Sequence, residues 1–392
     1  MEVKQIYTLV NSVSNEVLGK TDIVNEDLTG VVDLGTAVFN ANAVDNYVKS
    51  LVNHIGKVVF VNRPYSGKIP SVLMDAWEFG SVLEKISADI PAAEENDSWN
   101  LTDGKEYKQD VFHKPTVTAK FYNSKVTFEV PVSITERQVK ESFSSAEQLN
   151  GFISMIYSAV EKSMTIKTDA LVMRTINNMI AETLNADKAA FTPTSKSAPD
   201  YTTSSTVRCV NLLKLYNDKT AKGLTAANAV TDPEFIRFAS YTMGLYADRL
   251  QSISTLFNVG GKERFTPKDM LHVVLLSDFA KAAQTYLYAD TYNQSDVLLP
   301  NAETVPAWQA SGKDYSFANV SKIDVKSSGG ASVSIGGVLG VMFDRDALGV
   351  CNSDRRVTTN YNAKAEFFNN YYKFDAEFFN DTNENFVLFF VA

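Results

Sequence analysis

The sequence has few of the side chains that most often carry out chemistry. Its 392 residues include two cysteines, Cys209 and Cys351, and three histidines, His54, His113 and His272. Two thiols this far apart form neither a disulfide framework nor a zinc knuckle, and the separated histidines show no local metal pair. The sequence also lacks a serine elbow, an H-E-x-x-H motif and a Cys–His signature. We therefore expect no enzyme activity and no catalytic, cofactor-binding or metal site.

Long apolar runs and an excess of basic charge are also missing. No apolar run reaches the ~18–20 residues that a helix needs to cross a bilayer. The N-terminal stretch MEVKQIYTLVNSVSNEV carries acidic and polar residues where a signal peptide has its apolar region. The net charge is −9, from 37 Lys+Arg against 46 Asp+Glu. This acidic balance argues against a nucleic-acid-binding protein that contacts phosphates through a basic surface. These absences favour a soluble, intracellular protein with no membrane partner.

Two local patterns approach a chemical motif and fall short of it. The run S-N-E-V-L-G-K-T differs from a phosphate-binding loop because Ser14 occupies the place of the first glycine. The segment after it is too short and too acidic for the helix that such a loop requires. The acidic cluster Glu94, Glu95 and Asp97 could hold a cation or act as an acid–base pair, but it has no spaced ligand pattern. A solvated loop tip, or a patch that pairs with a basic neighbour, is the favoured interpretation.

Helical spacing is clearest over residues 145–184. Apolar residues recur there at helical spacing without a proline, and Ser145 with Gln148 forms an N-terminal capping box. A helix of this length is ~60 Å long, and its one-sided stripe favours packing on a sheet over a coiled coil. Shorter helices are predicted over 2–18 and about 43–55.

Strand patterns surround a polar loop before the long helix. The segments LEKISADIP and TVTAKFYNSKVTFEV match strands, and the acidic stretch 92–110 lies between them. Two long strands with a polar tip form a protruding arm. Such an arm buries little apolar area on itself, so we expect it to lie on a neighbour.

The second half of the chain is first α/β and then mostly β. A polar linker at 188–205 precedes helices that alternate with strand patterns, and β patterns dominate from residue 319. Ten aromatic residues lie within 367–390. They could form a stacking platform, but period-2 runs such as Tyr372–Phe374 favour a core or an interface. The glycines between 329 and 340 are typical of turns and bulges.

The order of these elements resembles the major capsid protein fold of tailed double-stranded-DNA bacteriophages, which encapsulin shells share. The segment VTFEVPVSITERQVKESF leads into the long helix and places Ser133, Glu141 and Ser142 where this family has its strand, short linker and spine helix. HVVLLSDFAKAA resembles a core strand and helix of the family's axial domain. GVLGVMFDRDALGV and FFNNYYKFDAEFF are similar to late strands of capsid proteins from phages of Gram-positive bacteria.

The resemblance implies an α+β fold with four parts. These are an N-terminal arm, an extended two-stranded loop, a peripheral domain built on a long spine helix, and an α/β axial domain. On this sequence the arm covers 1–56, the extended loop 57–130, the peripheral domain 131–200 and 320–392 with the spine helix at about 145–184, and the axial domain 201–319.

The resemblance also implies a function without chemistry. A major capsid protein assembles with copies of itself, as hexamers and pentamers, into an icosahedral or prolate shell around packaged double-stranded DNA. We accordingly expect assembly in the host bacterial cytoplasm, a place in the virion, and no sequence-specific recognition of the DNA. Because patterned structure begins near Val3, we expect a separate scaffolding protein, besides a portal and decoration or minor capsid proteins. An encapsulin-like container and an unrelated α/β enzyme are the alternatives.

Contacts between subunits are the functional residues that the resemblance implies. We expect the acidic loop tip to meet basic positions on an adjacent subunit, although solvation alone would also account for these charges. The expected contact residues are Glu94, Glu95, Asp97 and Asp103 on the tip, and Arg137, Lys140, Arg355 and Arg356 on the neighbour.

Overall fold

The computed structural model describes most of the chain beyond residue 82 and parts of the chain before it. The described residues are 3–20, 24–25, 30–40, 43, 46–47, 49–51, 70–74, 83–91, 93, 95–107, 110, 112–142, 144–193, 198–288, 302–309, 314–327 and 330–392. Glu94 lies outside them, as does most of the helix predicted at about 43–55. The described residues 46–47 and 49–51 of that helix are helical.

Two N-terminal helices pack onto the body of the chain. Helix α1 (Val3–Leu18) confirms the helix predicted over 2–18, and α2 (Val31–Asn40) follows it. The α1 stripe of Ile6, Val10 and Val13 is buried in the same cluster as the first half of the long helix. The described helical parts of the predicted arm, Tyr47 and Leu51 among them, therefore pack onto the body, because their apolar side chains have a core to join within the chain.

The predicted spine helix is the backbone of the fold. Helix α4 (Ala146–Ala186) follows the short α3 (Glu136–Ser142) and precedes the single turn α5 (Lys188–Phe191). As predicted, it begins at Ser145, whose Oγ accepts from the Gln148 amide at 3.2 Å. Its first half packs with the N-terminal helices and a four-stranded sheet. Its second half packs with a five-stranded sheet and also with Leu348, Val350 and Ala376 of the four-stranded sheet. One helix thus joins the two cores.

A four-stranded sheet covers the first half of α4. Its strands are β1 (Leu73–Met74), β4 (Lys125–Thr135), β11 (Leu348–Asn362) and β12 (Phe367–Asn380). Their order is β1–β11–β12–β4, with β1 parallel to β11 and the other pairs antiparallel. Alternate rings of β12, namely Phe368, Tyr372 and Phe374, are buried in the core below the helix. The prediction that these aromatic residues form a core is therefore confirmed.

A five-stranded sheet covers the second half of α4. Its strands are β5 (Cys209–Asn211), β6 (Leu271–Leu276), β7 (Ala302–Val305), β10 (Val338–Asp344) and β13 (Phe386–Phe390). Their order is β5–β13–β10–β6–β7, and the residues of β10 and β13 are buried on both faces. These two strands come from 320–392, the segment expected in the peripheral domain, yet they pair with strands of 201–319. The C-terminal segment therefore contributes to both sheets.

Short helices and a small hairpin complete this α/β region. Its helices are α6 (Leu212–Thr220), α7 (Ala226–Ala229), α8 (Pro233–Leu250), α9 (Ser277–Tyr288) and α10 (Phe317–Val320), and its hairpin joins β8 (Ile323–Lys326) to β9 (Ser332–Ile335). Across the described parts of the chain, no helix is both long and apolar enough to cross a membrane.

The predicted extended loop contains a separate antiparallel hairpin. Strand β2 (Leu83–Ala88) pairs with β3 (Val117–Tyr122), and the polar tip between them is described in part. The second predicted strand segment divides at Ser124, because β4 belongs to the four-stranded sheet. The independent hairpin therefore ends at β3, before the expected boundary at residue 130.

Candidate assembly surface

The β2–β3 hairpin exposes three large apolar side chains on the side that faces away from the body. The strands pair with Ile86 opposite Ala119 and Ala88 opposite Val117. Since neighbouring residues of a strand point to opposite faces, Ile86, Val117 and Phe121 share one face. These three residues are 64%, 57% and 63% exposed. We call them the outer face of the hairpin.

The opposite face of the hairpin contacts the body through charge. Lys85 Nζ lies 3.0 Å from Asp381 Oδ2 and 2.9 Å from Glu384 Oε1, while Lys120 Nζ lies 3.0 Å from Asp381 Oδ1. Both carboxylates belong to residues 381–385, which connect β12 to β13 and are called the acidic turn below. The hairpin therefore inverts part of the usual arrangement of a half-buried sheet, because two lysines point inward beside Leu83 and Tyr122 while the three large apolar side chains of the outer face point into water.

The acidic turn keeps two like charges together. Lys85 and Lys120 are direct cross-strand neighbours, which destabilises a hairpin unless an anion offsets the repulsion. Asp381 contacts both ammonium groups. Burial raises the pKa of Asp381, but the Asn383 amide and the two lysines outweigh it and hold that pKa below its ordinary value. Burial likewise lowers the pKa of Lys85, but Glu384 and Asp381 outweigh it and raise that pKa.

The tip of the hairpin exposes large rings together with acidic groups. A short 3₁₀ turn begins after Asn96, whose Oδ1 accepts from the Ser98 amide at 2.8 Å. Trp99, Leu101 and Phe112 are strongly exposed around it. Apolar side chains of this size in water indicate a surface that another molecule covers.

The predicted acidic contacts lie on this tip. Glu95, Asp97 and Asp103 are exposed there, and Asp97 Oδ2 pairs with Lys105 Nζ at 2.5 Å. Glu94 lies outside the described residues. The acidic tip predicted from the sequence therefore exists, with one of its charges already paired within the tip.

Two of the four predicted basic contacts, Arg137 and Arg356, have carboxylate partners within the chain. Arg137 Nε donates to Glu141 Oε1 at 2.8 Å, one helical turn away in α3. Arg356 Nη1 lies 2.9 Å from Asp354 Oδ2 and 2.7 Å from Asp375 Oδ2. The other two basic positions are Arg355, half-buried in β11, where burial lowers the pKa of its guanidinium, and Lys140 of α3, whose side chain lies outside the described residues.

The side chains that chemistry most often uses differ in exposure here, since the two cysteines are buried, His272 is half-buried and His113 is exposed. Cys209 and Cys351 are both buried, and burial raises the pKa of the Cys209 thiol far above its ordinary value. His272 stacks on Phe343 with ring centroids 5.6 Å apart. Within the described ranges, no three His, Cys, Asp or Glu side chains come together as a metal site would require. Among the described residues, the most exposed large apolar side chains are instead Trp99, Leu101 and Phe112 on the hairpin tip.

The sequence contained a signal for the outer face that the prediction did not use. Lys85 is followed by Ile86, and Lys120 by Phe121, so on each strand a lysine and a large apolar side chain point to opposite faces. This pattern indicates that one face carries lysines and the other carries large apolar side chains. It does not show which face meets the body, because the acidic turn lies more than 250 positions further along the chain.

Comparison with known families assigns the class of protein. The chain matches the model of the Phi29-like phage major capsid protein over residues 8–390, nearly its whole length. The match defines a phage capsid protein with the α+β fold of that class, a subunit that forms a shell and is not an enzyme. The chain belongs to the Phi29-like phage major capsid protein family.

Solved capsids are similar to the chain at low sequence identity. A chain from the capsid of Staphylococcus phage Andhra is 10% identical, with coverage of 83% of this chain and 87% of that chain and a TM-score of 0.47. A chain from the capsid of cyanophage P-SCSP1u is 10% identical, with coverage of 85% and 92% and a TM-score of 0.45. No curated protein matches the chain. The family assignment rests on the family match.

Proposed function

We propose that the chain assembles as hexamers and pentamers into a closed icosahedral or prolate shell around packaged double-stranded DNA, and that the outer face of the hairpin is a principal contact between its copies. Assembly takes place in the host bacterial cytoplasm, and the shell becomes part of the virion. The observation that carries the proposal is the inverted hairpin, with Ile86, Val117 and Phe121 turned into water.

An isolated two-stranded sheet with an exposed apolar face is unfavourable in water. Burying such a face releases roughly 25 cal/mol for each Å² of apolar area. A shell places identical copies side by side, so each subunit can cover the hairpin of its neighbour. The inward lysines meanwhile hold the hairpin in a position from which it can reach that neighbour.

The remaining partners follow from the resemblance to tailed-phage capsid proteins. They are a separate scaffolding protein, a portal, and decoration or minor capsid proteins. The net charge of −9 suits a container for DNA, since strongly basic walls would bind the packaged polymer. The late strands support a relationship to phages of Gram-positive bacteria. We propose the domain division that the sequence predicts, except that β10 and β13 join the axial sheet and that the hairpin ends at β3.

Charge pairs between subunits form a secondary part of this proposal. The acidic tip (Glu95, Asp97 and Asp103, with Glu94) would face basic groups of a neighbour. Arg137 and Arg356 already have carboxylate partners in the chain, so a new partner would share or replace these pairs. Exposed pairs contribute ~0–1 kcal/mol each. The apolar face is therefore expected to provide most of the contact energy.

Expression of the chain followed by light scattering and negative-stain microscopy tests the proposal. Wild-type chain should form rings or shells, whereas Ile86→Ser/Phe121→Ser should stay folded by circular dichroism but remain small. Ile166→Ser, which alters a residue of α4 that is equally exposed, is the matched control and should assemble. A wild-type chain that stays monomeric, or a hairpin variant that assembles as well as wild type, would contradict the proposal. Correctly sized shells from purified chain alone would remove the separate scaffolding protein.

A further inference from the structure

A second exposed apolar patch lies in the turn between α8 and β6. Residues 251–266, called the axial turn below, expose Ile253 by 59%, Leu256 by 60% and Phe265 by 50%. Phe257 of the same segment is buried and anchors it to the core around the five-stranded sheet. Large apolar side chains are thus concentrated on the outer side of one short segment.

The axial turn is built rigidly. Ser254 and Arg264 form a two-way backbone bridge, with N–O distances of 2.9 and 3.1 Å. Asn258 accepts from the Lys262 amide at 2.8 Å and donates to the Lys262 carbonyl at 2.6 Å. Ile253 and Phe265 lie opposite each other next to this bridge, so their side chains point to the same face. The patch therefore has a fixed shape.

The charged side of the axial turn faces the same acidic turn as the hairpin. Arg264 Nε lies 3.4 Å from Glu384 Oε2, and Lys85 Nζ of the hairpin lies 2.9 Å from Glu384 Oε1. In each element, the residue after this cation is an exposed apolar one, Phe265 in the axial turn and Ile86 in the hairpin. The Glu384 carboxylate thus contacts both the hairpin and the axial turn on their charged sides, and the apolar side chains of both elements point away from it.

Two further contacts connect the axial turn to the hairpin and to the acidic turn. Lys262 Nζ lies 2.8 Å from Asp89 Oδ1, next to the end of β2. The Gly260 amide donates to the Thr382 carbonyl at 2.9 Å, and a Cβ on Gly260 would lie only 2.0 Å from Asn383 Oδ1. The axial turn therefore lies directly on the acidic turn and contacts the base of the hairpin.

We propose that the axial turn is a second contact surface for a neighbouring copy of this chain, and that Glu384 couples it to the hairpin so that both surfaces are presented as one rigid unit. The inference rests on the proposed shell function. A second copy fits the patch because Lys262 and Arg264 turn inward to their partners and leave Ile253, Leu256 and Phe265 facing outward. A shell of identical subunits supplies apolar surfaces of the same kind, the outer face of the hairpin among them.

The contact is tested by Leu256→Ser/Phe265→Ser, with Tyr241→Ser as the matched control for loss of an exposed ring on α8. The double variant should keep its circular dichroism spectrum and melting temperature but need an about tenfold higher concentration to assemble, whereas the control should assemble like wild type. If the double variant assembles like wild type while Ile86→Ser/Phe121→Ser fails, the axial contact is overturned and the shell function stands. A wild-type chain that never assembles would instead overturn the shell function.

The coupling is tested by hydrogen exchange on Glu384→Gln and Asp381→Asn. Glu384 contacts both elements, whereas Asp381 has contacts from the two hairpin lysines. Glu384→Gln should therefore speed exchange about tenfold in β2, β3 and the axial turn, while Asp381→Asn should do so in β2 and β3 alone. Unchanged exchange in the axial turn of a folded Glu384→Gln chain would overturn the coupling. Arg264→Gln, which leaves both carboxylates in place, should speed hydrogen exchange in the axial turn alone. This variant provides a second test of the coupling if Glu384→Gln folds poorly.

Discussion

At the scale of single residues, Gly337 has the strictest steric requirement of the late β segment. Its φ is +74°, and a Cβ there would lie 1.9 Å from the backbone oxygen of Val391. Gly337→Ala should therefore lower the free energy of unfolding by about 2–4 kcal/mol, from backbone strain and overpacking together. Gly336→Ala is the matched control, because a Cβ at Gly336 meets nothing within 4 Å. Denaturant titration of both variants measures the difference, and equal stabilities would contradict the steric argument.

Asp381 should make part of the stability depend on acid. Its pKa in the folded chain lies below the ordinary value of 3.8, so the folded state prefers the carboxylate. The stabilisation is then fully present above about pH 4 and is lost as the pH falls through the lower, folded value. The melting temperatures of wild type and Asp381→Asn should therefore differ by a constant amount from pH 7 to 5 and converge below about pH 4. A gap that stays constant to pH 3 would show that Asp381 acts through packing and not through its charge.

At the scale of elements, sequence patterns predicted the elements whose ends are determined by local interactions. Spacing without proline and the cap at Ser145 placed α4 within two residues of its observed ends, because both signals lie in the helix itself. The membership of β10 and β13 in the five-stranded sheet was not predictable, since their partners β5 and β6 are far away in sequence. The acidic tip was predicted correctly as a polar loop. The outer face was missed because its direction depends on the distant Asp381 and Glu384.

Helix α4 has one buried and one exposed face, which predicts different stability losses for two of its isoleucines. Ile176 is fully buried in its second half, whereas Ile166, ten residues earlier, is 65% exposed. Ile176→Ala should cost about 2–5 kcal/mol in the free energy of unfolding, because it removes buried methyl groups and leaves a cavity. Ile166→Ala should change stability by less than about 0.5 kcal/mol. Thermal and denaturant unfolding of the pair would test this assignment of faces, and similar losses for both variants would contradict it.

At the scale of the whole molecule, the two cores cannot be separated along the chain. Helix α4 packs with both sheets, and the segment 320–392 supplies β11 and β12 to one sheet and β10 and β13 to the other. The acidic turn lies between β12 and β13, where the chain passes from one sheet to the other. The hairpin, the axial turn and the two sheets therefore meet at this one connection.

Salt dependence of assembly will show whether apolar surfaces or charge pairs hold the copies together. Each copy carries a net charge of −9, and salt screens the resulting repulsion between copies while leaving apolar burial intact. The lowest concentration at which wild-type chain assembles should therefore fall as NaCl rises from about 0.05 to 0.5 M, as light scattering can measure. The variant Ile86→Ser/Phe121→Ser should remain unassembled across that range, because screening does not restore its apolar face. A threshold concentration that rises with salt would instead assign the contact energy to pairs between the acidic tip and the basic positions, since exposed ion pairs weaken as the ionic strength increases.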